Sequence, residues 1–167
     1  MKTRPLLERI DRDWRTRRPD LDPTPMRRLI LLARTARAAA ERIEAGQGRH
    51  GLNSAQADLL LTLYRSAPPE GLTPGQLTGL SAISPSSVTN RLDRLAAEGL
   101  IKRLPDPADA RVRRVQLAEA GRQRVEQLLP DHLAGERALL SALTEAEQAE
   151  LEQLLLRLLD RLEAGAD

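Results

Sequence analysis

The chain has 167 residues, of which 41% are hydrophobic and 30% charged, a composition typical of a globular domain with one core. It contains no cysteine, which excludes disulfides and thiolate metal sites. Its sequence shows no apolar run of membrane-spanning length, and its charged N-terminus is unlike a secretory signal. We therefore expect a cytoplasmic protein.

The charges are unevenly distributed along the chain. Residues 1–49 hold 13 basic and 7 acidic side chains, whereas residues 125–167 hold 3 basic and 10 acidic ones. Basic segments attract phosphate groups and acidic segments avoid them. The pattern favours a nucleic-acid partner for part of the chain, although charge scattered for solubility is the alternative.

Two helices separated by a linker are predicted in the N-terminal part of the chain. The segment LLERIDRDW (6–14) predicts a short helix, and the three prolines within 17–25 predict a linker. A long helix is predicted from Met26 to about Ala45, ending at the glycine-containing segment 46–51.

Capping patterns then indicate where later helices begin, because a Ser, Thr or Asn cap with Gln or Glu three residues on satisfies two backbone donors. A short helix is predicted from Pro74, a further helix opens at Ser84–Pro85 and ends at Gly99, and Pro130 is predicted to break the helical stretch after Gly121. The capping pairs are Asn53 with Gln56, Thr73 with Gln76, and Thr144 with Glu147.

The segment PDPADARVRR (105–114) separates two short runs, LIKRL and VQL, that can pair as strands. Its prolines exclude a helix, so we predict a hairpin with arginines at its tip. Asp106 and Asp109 are expected to form the turn and to hold arginines in place. A solvated turn with weak surface ion pairs is the alternative.

The order helix, short helix, helix and two-stranded wing predicts a mainly α fold with a small β-wing, a winged helix-turn-helix with further helices at both ends. The second helix of such a unit enters the major groove, and wing arginines suit a narrow minor groove. The buried face of that helix is expected to carry Val88, Leu92 and Leu95. An ordinary amphipathic helix is the alternative. The residues that we expect to contact DNA are Ser84, Ser86, Ser87, Thr89, Asn90, Arg91 and Arg94 on the helix, and Arg111 and Arg113 on the wing.

An enzyme is not indicated. The segment GQGRHG lacks the Lys-Ser/Thr ending of a phosphate-binding loop, and no Ser–His–Asp arrangement is evident. His50 and His132 have no metal-ligand spacing, so we expect no catalytic residue, metal or cofactor. A helical adaptor protein remains the other class, and it would show no salt-dependent DNA binding.

Three segments, 52–64, 94–103 and 106–121, resemble the MarR family of winged-helix repressors, with Asp109 and Arg111 as that family's Asp-x-Arg pair. Ala110 and Ala118 depart from the family's pattern, and Ala118 is expected to weaken a helix cap. The resemblance implies a homodimer on a pseudo-palindromic operator with half-sites about 10 base pairs apart. It also implies one domain over 1–167, comprising an extra N-terminal helix (1–18), dimerisation helices (26–48 and 122–165) and a winged helix-turn-helix (52–121).

The segments 6–14, which carries the tryptophan, 59–72 and 128–134 further resemble the urate-responsive, HucR-like subgroup. This resemblance implies a repressor released by urate or a related purine. The implied effector residues are Trp14, Asp58, Arg91 and Arg103. An indole can stack on a planar purine, and guanidinium groups can donate paired hydrogen bonds to its oxygens. Each residue also has a purely structural or DNA-contacting alternative. A MarR-type repressor of a different aromatic acid or phenolic compound is the second hypothesis.

Overall fold

The computed structural model describes residues 2–81, 88–109 and 111–165. Within these ranges the chain is mostly helical with one two-stranded antiparallel sheet, which confirms the predicted fold class. In chain order the elements are α1 (Thr3–Arg17), α2 (Thr24–Gly48), α3 (Ser54–Ser66), α4 (Pro74–Leu80), α5 (Val88–Ala97), β1 (Ile101–Pro105), β2 (Arg113–Leu117), α6 (Glu119–Leu140) and α7 (Glu145–Glu163).

The three predicted capping boxes are all present, at the starts of α3, α4 and α7. In each, the cap side chain accepts from the backbone N–H three residues on, and that residue's side chain accepts from the cap's own N–H. Ala118, at the corresponding position before α6, makes no side-chain cap bond, as expected. The first backbone donors of α6 therefore lack a side-chain acceptor at the cap position.

The boundaries of α2 differ from the prediction. Pro25 lies inside the first turn rather than in the linker, because a proline there has the φ that the helix requires and no N–H to satisfy. The helix also continues past Gly46 to Gly48, where Gln47 is buried. A mid-helix glycine costs only about 1 kcal/mol, so packing against α6 outweighs it.

The predicted break at Pro130 is wrong, because α6 runs from Glu119 to Leu140 with this proline inside it. An internal proline costs about 3 kcal/mol through one lost hydrogen bond and a steric clash. Val125 and Leu128, five and two residues before Pro130, are fully buried against the core. Their burial and the packing of α6 along α2 favour one continuous helix despite that cost.

One hydrophobic core unites the helix-turn-helix and the hairpin. Its side chains are nearly all aliphatic, and each stabilises the fold by about 1.5–3 kcal/mol on burial. As predicted, α5 contributes Val88, Leu92 and Leu95, so its opposite face points outward. The other large members are Leu59, Leu60 and Leu63 of α3, Leu77 of α4, Ile101 and Val115 of the hairpin, and Val125 and Leu128 of α6.

The two ends of the chain carry a large exposed apolar surface. Helix α7 buries none of its residues, and α2 exposes much of its N-terminal half. No helix in the described ranges combines the length and the apolarity that a membrane span requires. The most exposed of these side chains are Leu29 and Leu31 on α2 and Leu154, Leu158, Leu159 and Leu162 on α7.

Gly121 provides a test of how α6 joins the wing. A Cβ at this position would overlap the carbonyl oxygen of Leu100, a backbone atom that cannot move away cheaply. We expect Gly121→Ala to lower the free energy of unfolding by about 1–3 kcal/mol, measured by urea denaturation. Gly135→Ala in the same helix meets no atom within 4 Å and should be neutral or stabilising. Equal stability of the two variants would contradict this close approach.

Candidate functional site

Helix α5 presents a polar face on the side opposite its buried aliphatic side chains. Thr89, Asn90 and Arg94 are exposed, and Arg91 is half-buried at the flank of that face. These are the short polar and guanidinium side chains that can reach base edges. The predicted contacts Ser84, Ser86 and Ser87, and the predicted helix start at Ser84–Pro85, lie outside the described residues.

Polar contacts from α3 secure the elements around α5. The Arg65 guanidinium donates to the carbonyl of Leu80, at the end of α4, with a separation of 2.5 Å. At the other end of α3, the Gln56 side-chain amide donates to the carboxylate of Glu98, just beyond α5. Sequence reasoning identified Gln56 only as a capping residue, because nothing local in the sequence shows that its amide also reaches Glu98.

An ion pair joins α5 to the wing. The Arg103 guanidinium of β1 lies 2.6 Å from a carboxylate oxygen of Asp93 in α5. Asp93 was not among the predicted site residues. Its signal in the sequence is weak, since it is one acidic residue on a helix otherwise free of acids.

The predicted hairpin is confirmed. Strands β1 and β2 pair antiparallel, with Ile101 opposite Leu117 and Pro105 opposite Arg113. A bridge between Leu72 and Val115 joins β2 to the segment before α4 through two backbone hydrogen bonds. The wing is therefore attached to the helix-turn-helix through backbone as well as side chains.

Asp106 organises the turn of the wing. Its carboxylate accepts from the backbone N–H groups of Ala108 and Asp109 and from the Arg114 guanidinium, which also donates to the carbonyl of Gly71. The backbone bond from Ala108 and the ion pair with Arg114 lower the pKa of Asp106 below its usual value. As predicted, this carboxylate holds an arginine, but one at the base of the turn.

Asp109 behaves differently from the prediction. Its carboxylate accepts from the backbone N–H of Arg111 at 2.9 Å, so it shapes the turn, and no bond to an arginine side chain is seen among the described residues. Arg111 and Arg113 are both exposed, which leaves their side chains on the surface of the wing. Ala110, the departure from the family's pattern, is outside the described part of the chain.

The four residues with an implied effector role lie on four elements. Trp14, 39% exposed, is on α1, which packs against α2. Asp58 is half-buried in α3, Arg91 is half-buried in α5, and Arg103 of β1 is engaged by Asp93.

A cleft of about 460 Å³ lies between α2, α3 and α5. Arg91 and Arg94 line it from α5, Glu44 from α2, and Asn53 and Gln56 from the start of α3. Paired guanidinium groups beside amide and carboxylate groups can bind an anion that also carries N–H donors. Trp14, Asp58 and Arg103 do not line this cleft.

Both histidines are half-buried and lie beside carboxylates. His50 is 3.1 Å from Asp131, and His132 is 3.4 Å from Glu136, both on or against α6. In the described ranges, no three His, Cys, Asp or Glu side chains form a group that could hold a metal ion.

A helix-turn-helix whose second helix exposes a polar face, followed by an arginine-bearing β-wing, defines a winged helix-turn-helix protein. The MarR family model matches residues 50–112, which include α3, α4, α5 and β1 and end just before β2. The transcriptional regulator PecS of Dickeya dadantii is 32% identical over 146 residues, covering 87% of this chain and 88% of PecS. The chain belongs to the MarR family of winged-helix transcriptional regulators.

Solved structures agree with this assignment. A mutant MarR from Escherichia coli complexed with operator DNA is 27% identical with a TM-score of 0.70, covering 81% of this chain and 94% of that one. Bordetella bronchiseptica BpsR, whose DNA binding is regulated by 6-hydroxynicotinic acid, is 26% identical with a TM-score of 0.68, covering 78% and 91%. These relatives confirm a regulator rather than an enzyme, but they do not single out the urate-responsive subgroup.

The acid dependence of stability tests the Asp106 network. Because the folded-state pKa of Asp106 is lowered, its stabilisation is present above the unfolded pKa of about 4 and is lost as pH falls through the folded value. Asp106→Asn should therefore melt below the parent at pH 7, and the difference between the two melting temperatures should shrink as pH falls below about 4. Asp13→Asn, which alters an exposed ion pair on α1, is the control and should match the parent at pH 7. A constant difference between parent and Asp106→Asn across this pH range would contradict the network's role.

Proposed function

We propose that this chain is a DNA-binding repressor that acts as a homodimer in the cytoplasm and is released from its operator by urate or a related purine. The observation that carries the DNA-binding part is the exposed polar face of α5 beside an arginine-bearing wing. The complex of a MarR relative with operator DNA supports the same role for this surface.

The proposed contacts divide between the two grooves. The polar side chains of α5 would read base edges in the major groove, where arginine pairs with guanine and asparagine with adenine. The exposed wing arginines Arg111 and Arg113 would enter the adjacent minor groove, whose negative potential attracts guanidinium groups. The serines at 84, 86 and 87 are assigned by sequence position alone.

The exposed leucines of α2 and α7 support the homodimer. Exposed leucines in such numbers are unusual on a monomer and are typical of an interface. A dimer would place two helix-turn-helix units on half-sites about one helical turn apart. It would also keep the acidic C-terminal segment, with 10 acidic and 3 basic side chains over 125–167, among the dimerisation helices.

The cleft beside α5 supports an anionic effector. Arg91 lines this cleft and also lies at the edge of the proposed DNA-reading face, so a ligand that draws on its guanidinium would change the contacts of α5. A coupling of about 1–3 kcal/mol would lower operator affinity 5- to 150-fold. Trp14, Asp58 and Arg103 complete the proposed urate set, although they lie on separate elements of the single chain.

A different small aromatic acid is the second candidate effector. BpsR, a relative with the same fold, responds to 6-hydroxynicotinic acid, which is also planar and anionic. The guanidinium groups of the cleft suit any such anion. Titrating the operator complex with urate and with 6-hydroxynicotinate in parallel separates the two candidates.

Arg111→Ala tests the wing assignment. We expect the variant to bind a duplex from upstream of the gene more weakly. The slope of log affinity against log salt concentration should also become shallower by about one, because one fewer counterion is released. Fluorescence anisotropy over a salt series measures both, and calorimetry should show unchanged urate affinity. Arg9→Ala, a similarly exposed arginine on α1, is the control. If the Arg111 variant binds the duplex as tightly as the parent, the wing assignment is wrong.

Trp14→Ala tests the effector assignment. We expect the variant to bind the duplex normally and to need more urate for release, because the stacking surface is gone. Trp14 is the only tryptophan in the chain, so urate binding to the parent should also quench its fluorescence. Normal release of the variant by urate would return Trp14 to a purely structural role, whereas release by 6-hydroxynicotinate alone would favour the second candidate.

A further inference from the structure

Asp93 is the one acidic residue of α5, and it lies on a helix proposed to face DNA. A carboxylate there repels phosphate and should weaken operator binding unless it has a compensating role. Its side chain is 56% exposed, so it is not needed to complete the core. The ion pair with Arg103 is therefore the feature of Asp93 that requires an explanation.

Stability is a poor explanation for this pair. Both side chains are partly exposed, Arg103 by 38% and Asp93 by 56%, and exposed ion pairs contribute little to unfolding free energy. The buried side chains around it already join α5 to the wing, since Leu92, Leu95 and Ile101 belong to one core.

The place where the pair joins the hairpin to α5 explains its role better. The far half of the wing is attached to the segment before α4 by the Asp106–Arg114–Gly71 contacts. Arg103 attaches the opposite strand, β1, directly to α5. A two-stranded hairpin is flexible by itself, so attachment of both strands fixes the angle between the wing and α5.

We propose that Asp93 is a positioning residue that, through Arg103, aligns the wing with α5 so that both engage the operator as one rigid unit. The inference rests on the proposed DNA-binding function. On this proposal the carboxylate of Asp93 serves to hold Arg103 and does not contact a base or a phosphate.

Asp93→Asn separates positioning from electrostatics because the two explanations predict opposite changes in operator affinity. Removing a negative charge near phosphate would by itself tighten operator binding. Losing the alignment should instead weaken it about threefold to fivefold, which is the range that one exposed ion pair can contribute. Fluorescence anisotropy with a labelled duplex measures the change, and thermal unfolding checks that the variant is folded.

The matched control is Asp20→Asn. Asp20 pairs with Arg18 at the same 2.6 Å separation and with similar exposure, 58%, but it lies in the linker between α1 and α2. This variant removes the same charge from the chain and should bind the operator as the parent does or slightly more tightly.

A second measurement uses the wing itself. If the pair aligns the wing, then Arg111→Ala should cost less affinity in the Asp93→Asn background than in the parent, because the misaligned wing already contacts DNA less well. Binding that is unchanged or tighter in Asp93→Asn, or an Arg111→Ala penalty that is the same in both backgrounds, would overturn the proposal. Failure of the parent to bind any duplex would instead refute the proposed function.

Discussion

The burial of one aliphatic face of α5 against α3 is the constraint on which the rest of the structure depends. Val88, Leu92 and Leu95 pack among the leucines of α3, and this fixes which side of α5 is left for solvent. The polar face is therefore a consequence of the core. The same core contains Ile101 and Val115 of the hairpin, so the wing and α5 pack on one set of buried side chains.

Polar contacts further restrict the orientation of the elements that the core brings together. Several side chains join elements or segments that are separated along the chain. They are Arg65, Gln56, Asp93 and Arg114. None of these contacts is strong enough to determine the fold, because most are partly exposed. Their effect is on orientation: they limit how far the hairpin and the ends of α4 and α5 can move relative to α3.

The chain also divides its surfaces by chemistry. Arginines and short polar side chains concentrate around α5 and the wing, whereas leucines concentrate on α7 and the outer side of α2. This division suits a protein that meets a polyanion on one surface and a second apolar surface on another. The cleft between α2, α3 and α5 borders the polar surface through Arg91 and Arg94.

Local signals in the sequence by themselves determined the capping boxes, the hairpin, the buried stripe of α5 and the family resemblance, because each depends on residues close together along the chain. Helix continuity through Gly46 and Pro130 was decided by tertiary packing, which outweighs propensities of about 1–3 kcal/mol. The partners of Asp93 and Arg114 were likewise decided only by the tertiary structure. A guanidinium pairs with whichever acceptor the fold brings within reach, and that acceptor can be ten or more than forty residues away.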